Sequence, residues 1–146
     1  MITANHTLTI NAPKDVVWDV IVDGDKYSEW NPFVLACRST FEVKSPIRMK
    51  VKVLPYLTVP QKETIFEHIP GTKLSYGITI PFGALKSYRS HVLKSISDDE
   101  TVYESSFELS GWLSPLVDAM MGSSLKKGFD GMSNGILRRS LSLLGK

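Results

Sequence analysis

The chain has 146 residues, which suits one core, so we expect a single domain over residues 1–146. Its 17 basic and 15 acidic residues give a formal net charge of +2, which offers no electrostatic argument for a nucleic-acid partner. No apolar run is long enough to span a membrane, and no basic segment precedes an apolar one at the N-terminus, so we expect a cytoplasmic protein without stable membrane insertion.

The first residues of the chain predict one strand followed by two short helices. HTLTI at 6–10 alternates between polar and apolar residues, as a half-buried strand does. Pro13 suits the first turn of a helix, Asp15 favours its N-terminal end, and apolar residues recur at helical spacing over 16–21. KYSEWNP at 26–32 predicts a second short helical turn that ends at Pro32.

From residue 33 the hydrophobic period changes from 3.6 to 2, which predicts strands. We place these strands near 33–43, 47–54, 59–68, 73–80, 85–96 and 101–110. The short connections between them imply antiparallel neighbours. Arg48, Lys50 and Lys52 alternate with apolar residues on one of these strands, so they indicate a solvated strand face and not a phosphate-binding patch.

The helical period returns from Trp112 to about Leu144. A sheet followed by a single long helix packs most simply when the sheet wraps around the helix. We therefore expect an α+β architecture, in which a curved antiparallel sheet is wrapped around one long C-terminal helix and two short helices follow the first strand. Such a sheet can leave a cavity between its concave face and the helix.

Several sequence stretches occur in an order that is typical of a known family. Ala12-Pro13 is followed by Val17-Trp18 and then by the turn Trp30-Asn31-Pro32. EHIPGTKLSYGI at 67–78 and ETVYESSFELSGW at 100–112 come later. Together these stretches resemble the START-like, or SRPBCC, domains, the helix-grip superfamily that includes the birch-pollen allergen and polyketide cyclases. The resemblance implies the helix-grip fold, but it implies no single function, because that fold hosts binders, transporters, cyclases and adaptor domains.

Four glycines, at positions 122, 128, 131 and 135, lie inside the predicted C-terminal helix. Each interior glycine costs a helix about 1 kcal/mol relative to alanine. Ser124, Gly128, Gly131 and Gly135 are spaced 4, 3 and 4 residues apart, so they form one stripe on the helix surface, which we call the small-residue stripe. Val117 and Met120 continue the stripe toward the start of the helix. Gly122 lies off this face, and the sequence gives no reason for it.

The small-residue stripe has three interpretations. Small side chains let the helix pack closely on the sheet or on a second subunit, they leave volume for an apolar ligand, or they mark a local break in the helix. The resemblance favours the ligand interpretation, because helix-grip domains generally keep an internal cavity.

The sequence offers no metal site and no recognised catalytic motif. Cys37 is the single cysteine, and His6, His68 and His91 lie on separate elements without the spacing of metal ligands. No glycine-rich phosphate loop and no G-x-S-x-G turn is present. We therefore expect no metal and no cofactor.

Polar residues on the predicted strands are the candidates for chemistry. Tyr76 and Tyr103 are expected to point inward, where a buried phenol needs a hydrogen-bond partner and is able to orient a ligand carbonyl or hydroxyl. If the protein is an enzyme, Tyr76, Arg89, His91 and Tyr103 are the candidate catalytic residues. A strand histidine such as His91 is more often structural than a general base.

The leading functional hypothesis is the binding or transport of a small hydrophobic molecule, such as a lipid, an isoprenoid or an aromatic polyketide, in an internal cavity. The predicted ligand-binding residues are Met49, Val51, Tyr76, Ile78, His91, Tyr103, Phe107, Val117, Met120, Ser124 and Gly128. The first alternative is a polyketide cyclase or dehydratase-like enzyme that works without a metal. The second is a protein-interaction module. No oligomeric state is predicted.

Overall fold

The protein is seen in a computed structural model that describes residues 1–146. Seven strands are present, β1 (Ile2–Ile10), β2 (Val34–Arg38), β3 (Pro46–Leu54), β4 (Leu57–Ile69), β5 (Lys73–Gly77), β6 (Lys86–Ser97) and β7 (Glu100–Ser110). The α-helices are α1 (Lys14–Val22) and α2 (Ser114–Leu143), and two short 3₁₀ helices span Gly24–Glu29 and Pro81–Gly83.

The strands form one antiparallel sheet in the order β1-β7-β6-β5-β4-β3-β2. Four of the pairings, β2–β3, β3–β4, β4–β5 and β6–β7, contain a register shift. An extra residue in one strand of a pair bends that strand and increases its twist. The sheet is therefore strongly curved, and α2, which is 30 residues long, packs against it.

The alternation of the strand residues decides which side chains face the helix. On β3, Ile47, Met49, Val51 and Val53 are buried, whereas the residues between them are exposed. From α2, Leu125, Phe129, Met132 and Ile136 are buried in the same core. Apolar residues at these helical and strand spacings thus meet in one core between the concave face of the sheet and α2.

The turn that precedes β2 is fixed by a side chain. The Asn31 Oδ1 accepts hydrogen bonds from the backbone N–H groups of Phe33 at 2.9 Å and Val34 at 2.8 Å. Asn31 is buried, so this carboxamide replaces the water that the two N–H groups would otherwise bind. The segment from Trp30 to Phe33, which we call the 30–33 turn, is thereby held in one conformation.

The expected helix-grip architecture is confirmed, with differences at the ends of elements. β1 begins at Ile2, four residues before the predicted start, and β4 is longer than expected at both ends. β2 ends at Arg38 instead of 43, because Phe41 and Lys44 have positive φ angles and form a turn. β5 ends at Gly77, where the carbonyl of Ser87 approaches so closely that no side chain fits.

Candidate functional site

A cavity of about 370 Å³ lies between the concave face of the sheet and α2. Twenty-one residues line it, of which 17 are hydrophobic. Strands β2 to β7 contribute one wall, and the α2 residues Val117, Met121, Leu125, Phe129 and Met132 contribute the other. The four remaining lining residues, Gln61, Glu63, Ser87 and Arg89, bring polar groups into this apolar space. A mostly apolar cavity with a few polar groups is the usual form of a small-molecule site.

Arg89 is the cation of the cavity, and its side chain is only 2% exposed. Its Nη1 donates to the Ser105 hydroxyl at 2.5 Å and to the Ser106 carbonyl at 3.2 Å. Its Cζ lies 4.9 Å from the centre of the Phe129 ring, which is a cation–π distance. None of the ion pairs in the structure includes Arg89. The guanidinium is thus held firmly by neutral groups and has no carboxylate counter-ion in contact.

Glu63 is the second charged group of the cavity. Ile65 on β4 pairs with Tyr76 on β5, and Tyr76 pairs with Arg89 on β6. Glu63 lies two residues from Ile65 on the same strand face, so it is two strands and one row of side chains away from Arg89 on the concave side of the sheet. Burial raises the pKa of its carboxyl to about 7, although the nearby Arg89 charge lowers it. Glu63 therefore changes protonation state near neutral pH.

Three aromatic side chains form a buried hydrogen-bonded chain beside the cavity. The His91 Nε2 lies 3.1 Å from the Tyr76 hydroxyl, and its Nδ1 lies 2.7 Å from the Tyr103 hydroxyl. Burial first and the Arg89 charge second hold the pKa of His91 well below its ordinary value. The ring is therefore neutral, so it donates to one hydroxyl and accepts from the other. Burial also raises the pKa of Tyr76, which keeps its phenol neutral.

The predicted ligand-binding residues fall into two groups in the structure. Five of them line the cavity, namely Val51, Tyr76, Ile78, Phe107 and Val117, and so does the candidate catalytic residue Arg89. The other six do not line it. Among these, His91 and Tyr103 lie fully buried behind Tyr76, and Met49 is buried in the core opposite Cys37 on β2. A direct contact of any of these residues with a ligand stays a prediction.

The remaining three predicted residues belong to the small-residue stripe and its extension. Met120 is 61% exposed, and Ser124 is half-buried outside the cavity wall. Gly128 is packed against the Phe33 ring, where a Cβ would overlap ring atoms. Gly128 therefore faces the Phe33 ring, and a contact of Met120 or Ser124 with a ligand stays a prediction.

The partner of the stripe is the 30–33 turn. A Cβ at Gly131 would lie 3.2 Å from the Pro32 Cγ, and one at Gly135 would lie 2.9 Å from both the Cε3 and the carbonyl oxygen of Trp30. The three glycines at 128, 131 and 135 thus pack against three residues of the turn, Phe33, Pro32 and Trp30. Gly122, which the sequence left without a reason, lies under the Asp118 carboxyl, which occupies the space of a Cβ.

Glu63 and Gln61 are site residues that the sequence analysis missed. The signal was present, because both alternate in phase with Ile65, which is fully buried. An acid on a strand is normally assigned to the solvated face, and only the cavity makes its inward position possible. Phe33, Met121 and Leu125 were missed as lining residues as well.

The structure brings together no group of three His, Cys, Asp or Glu side chains that is able to hold a metal ion. The expectation of a metal-free protein stays a prediction. Cys37 is buried, and burial raises the pKa of its thiol to about 12, so the thiol stays protonated at neutral pH. No helix combines the length and the apolarity that a membrane span requires.

The chain is similar to solved structures over nearly its whole length. A START superfamily protein from Mycobacterium smegmatis is 14% identical, with a TM-score of 0.75 over 98% of this chain and 99% of that one. The ZhuI aromatase/cyclase from Streptomyces sp. R1128 is 14% identical, with a TM-score of 0.78 over 94% and 92%. A norcoclaurine synthase mutant from Thalictrum flavum is 13% identical, with a TM-score of 0.70 over 96% and 94%. At these identities the similarity shows the fold alone.

The family is shown by the sequence itself. No curated protein was found to match the chain. A family model described as polyketide cyclase/dehydrase and lipid transport matches residues 1–141, which is nearly all of the chain. The protein therefore belongs to the polyketide cyclase/dehydrase and lipid transport family.

Proposed function

We propose that the protein binds a small, largely apolar molecule in the cavity between the sheet and α2. The observation that carries the proposal is the cavity itself, about 370 Å³ in volume and lined by 17 hydrophobic residues of 21. This volume lies within the roughly 300–1,000 Å³ range of small-molecule sites. The description of the family supports a ligand-binding or cyclase role.

The entrance to the cavity is proposed to lie at the end where three connections meet. Three lining residues mark this end of the cavity. Leu57 lies in the β3–β4 hairpin, Leu85 lies in the segment before β6, and Val117 lies near the start of α2. An exposed aromatic residue lies within five residues of each of these lining residues, namely Tyr56, Phe82 and Trp112. The Trp112 Nε1–H donates to the Phe82 carbonyl at 2.9 Å, which joins two of these segments. Exposed aromatic residues around an opening favour the entry of an apolar molecule there.

A cyclase or dehydratase-like reaction is the second candidate, and one observation favours it. A carboxyl with a pKa of about 7 faces the cavity at Glu63, and a general acid or base works best when its pKa is near the operating pH. Tyr76 adds a hydroxyl in the cavity wall, positioned by His91. These groups suit proton transfer to and from a carbonyl compound that the cavity holds in a folded conformation.

The ligand hypothesis is tested by native mass spectrometry of the purified protein, followed by identification of any molecule released on denaturation. We expect a small apolar compound bound at close to one per chain, or, if the protein is purified without ligand, saturable uptake of the neutral fluorescent probe N-phenyl-1-naphthylamine. The absence of both a co-purified molecule and probe uptake would contradict the proposal. Conversion of the released compound to a new product by fresh protein would support the enzyme alternative.

A further inference from the structure

We infer that the ligand carries a carboxylate or a similar anionic head group that pairs with Arg89, and that Glu63 is protonated when this head group is bound. The inference rests on the proposed function and adds to it the chemical class of the ligand. Three features of the cavity carry it, namely the unused edge of Arg89, the position of Glu63, and the lack of other groups that titrate near neutral pH around Glu63.

The first feature is the edge of the guanidinium formed by Nε and Nη2. The hydrogen bonds of Arg89 to Ser105 and Ser106 use Nη1 alone. The Nε–H is buried and has no acceptor within the protein, and Nη2 has only the Met132 sulfur at 3.6 Å, a weak acceptor. Met132 lines the cavity, so this edge lies at the cavity wall. Parallel N–H groups on one guanidinium edge match the two oxygens of a carboxylate.

The free energy of burial supports the same assignment. A buried cation without a counter-ion is unfavourable, because the interior solvates it less well than water does. Arg89 is nevertheless 2% exposed and makes its hydrogen bonds to neutral groups. Because Nη1 is bonded to Ser105 and the guanidinium lies over the Phe129 ring, the Nε–Nη2 edge is oriented before a ligand arrives. An anionic head group would supply the missing counter-charge without moving the arginine.

The second feature is Glu63, the only acid among the cavity-lining residues. When Glu63 is protonated, the cavity carries the single positive charge of Arg89, which attracts an anion. When Glu63 is ionised, its charge balances that of Arg89 and repels a ligand carboxylate. Since the pKa of Glu63 is raised to about 7, both states are populated near neutral pH. Binding of an anion therefore favours the protonated state, and by linkage the apparent affinity depends on pH.

The third feature is the lack of other groups that titrate near neutral pH around Glu63. On β5 the facing group is Tyr76, whose pKa is raised by burial, and on β6 it is Arg89 with the neutral His91 behind it. The cavity-lining residues of β2, β3, β7 and α2 carry no titratable side chain. Gln61, also on β4, is uncharged. A pH dependence of binding between pH 6 and 8 is therefore assigned to Glu63.

The test uses two ligands of the same shape, decanoic acid and decanamide, which compete with bound N-phenyl-1-naphthylamine at pH 6 and pH 8. Decanoic acid is ionised in water at both values, because its ordinary carboxyl pKa is about 4–5. For wild type we expect decanoate to bind at least tenfold more tightly than decanamide at pH 6. For one linked proton with a pKa near 7, the affinity for decanoate should fall about tenfold between pH 6 and 8, while that for decanamide should not.

Two variants test whether the pH dependence comes from Glu63 and the preference for decanoate from Arg89. Glu63→Gln keeps the size and hydrogen-bonding groups of the side chain, and it should bind decanoate at pH 8 as tightly as at pH 6. Arg89→Met should lose the preference for decanoate while still binding decanamide. Glu63→Gln removes no positive charge and alters only one terminal atom, so it tests the proton linkage even if Arg89→Met fails to fold.

The outcomes separate the inference from the proposed function. Equal affinities for decanoate and decanamide in wild type would overturn the inference while leaving apolar ligand binding intact. A preference for decanoate that does not change with pH in wild type would overturn the role of Glu63. Failure of decanoate to displace the bound probe at pH 6 would also overturn the inference, whereas failure of the probe itself to bind would contradict the proposed function.

Discussion

The ring of Phe33 occupies the space that a side chain at position 128 of α2 would need. Phe33 is 3% exposed, its backbone N–H is bound by the Asn31 side chain, and its ring packs against Phe129 with the centroids 4.8 Å apart. The small-residue stripe therefore serves close packing at Gly128. Its partner is the 30–33 turn, which is neither the sheet nor a second subunit. Because Phe33 itself lines the cavity, this packing also places one wall of the site.

We predict that Gly128→Ala destabilises the protein. The added methyl overlaps a buried aromatic ring, and overpacking costs about 1–3 kcal/mol, whereas the gain in helix propensity is at most about 1 kcal/mol. Gly131→Ala is the matched control, because its methyl would approach only the Pro32 Cγ, at 3.2 Å. Urea denaturation should show a clear loss for Gly128→Ala and a smaller change for Gly131→Ala. A Gly128→Ala protein at least as stable as wild type would contradict the packing account.

We predict that Glu63→Gln increases stability at alkaline pH. The pKa of Glu63 is about 7 in the folded protein against 4.5 for a solvated glutamate, so the folded state holds the extra proton between these values. The contribution of Glu63 to stability is thus complete below pH 4.5 and is lost as the pH rises through 7. At pH 8 the variant should be more stable by about 1–3 kcal/mol, with a difference close to zero near pH 4.5. Chemical denaturation at a series of pH values measures this, and a constant difference would refute it.

We predict that His91 stays neutral in the folded protein well below pH 6.5. Its pKa is lowered by burial, so the unfolded chain gains a proton at His91 before the folded protein does. The stability that depends on neutral His91 is complete above pH 6.5 and is lost as the pH falls toward the lower, folded pKa. NMR of the imidazole nitrogens should show a neutral ring at pH 6.5, with no titration midpoint near that value. A midpoint near 6.5 would contradict the buried Tyr76–His91–Tyr103 chain.

Much of the fold and part of the site can be predicted from the sequence. The strand residues of the cavity and the helix residue Met120 show what periodicity predicts and what it does not. Strand alternation alone decides which side chains of a strand face the helix. It therefore predicts four residues that line the cavity, namely Val51, Tyr76, Ile78 and Phe107. Met120 was placed inward by helical spacing, yet it is exposed. Spacing gives a direction around the helix axis, but it does not say how far the neighbouring elements extend along it.

The partner of the small-residue stripe is the clearest example of information that spacing lacks. Helical periodicity shows that Ser124, Gly128, Gly131 and Gly135 share a face, but the residues seated on that face lie about 100 positions earlier in the chain. Glu63 shows a different limit. The sequence shows that Glu63 alternates in phase with the buried Ile65. An acidic side chain can face inward there only because a cavity and a buried arginine lie near it.

The central claim, that an apolar molecule occupies the cavity, is tested most directly by filling the cavity from one strand. Val59 lines it from β4, and its neighbour Thr58 is exposed on the other face of the same strand. Val59→Trp and Thr58→Trp therefore add the same ring inside and outside the cavity. Titration with N-phenyl-1-naphthylamine should give at least a tenfold weaker affinity for folded Val59→Trp and an unchanged affinity for Thr58→Trp. Equal probe affinity in both variants and wild type would contradict the assignment of the ligand site to this cavity.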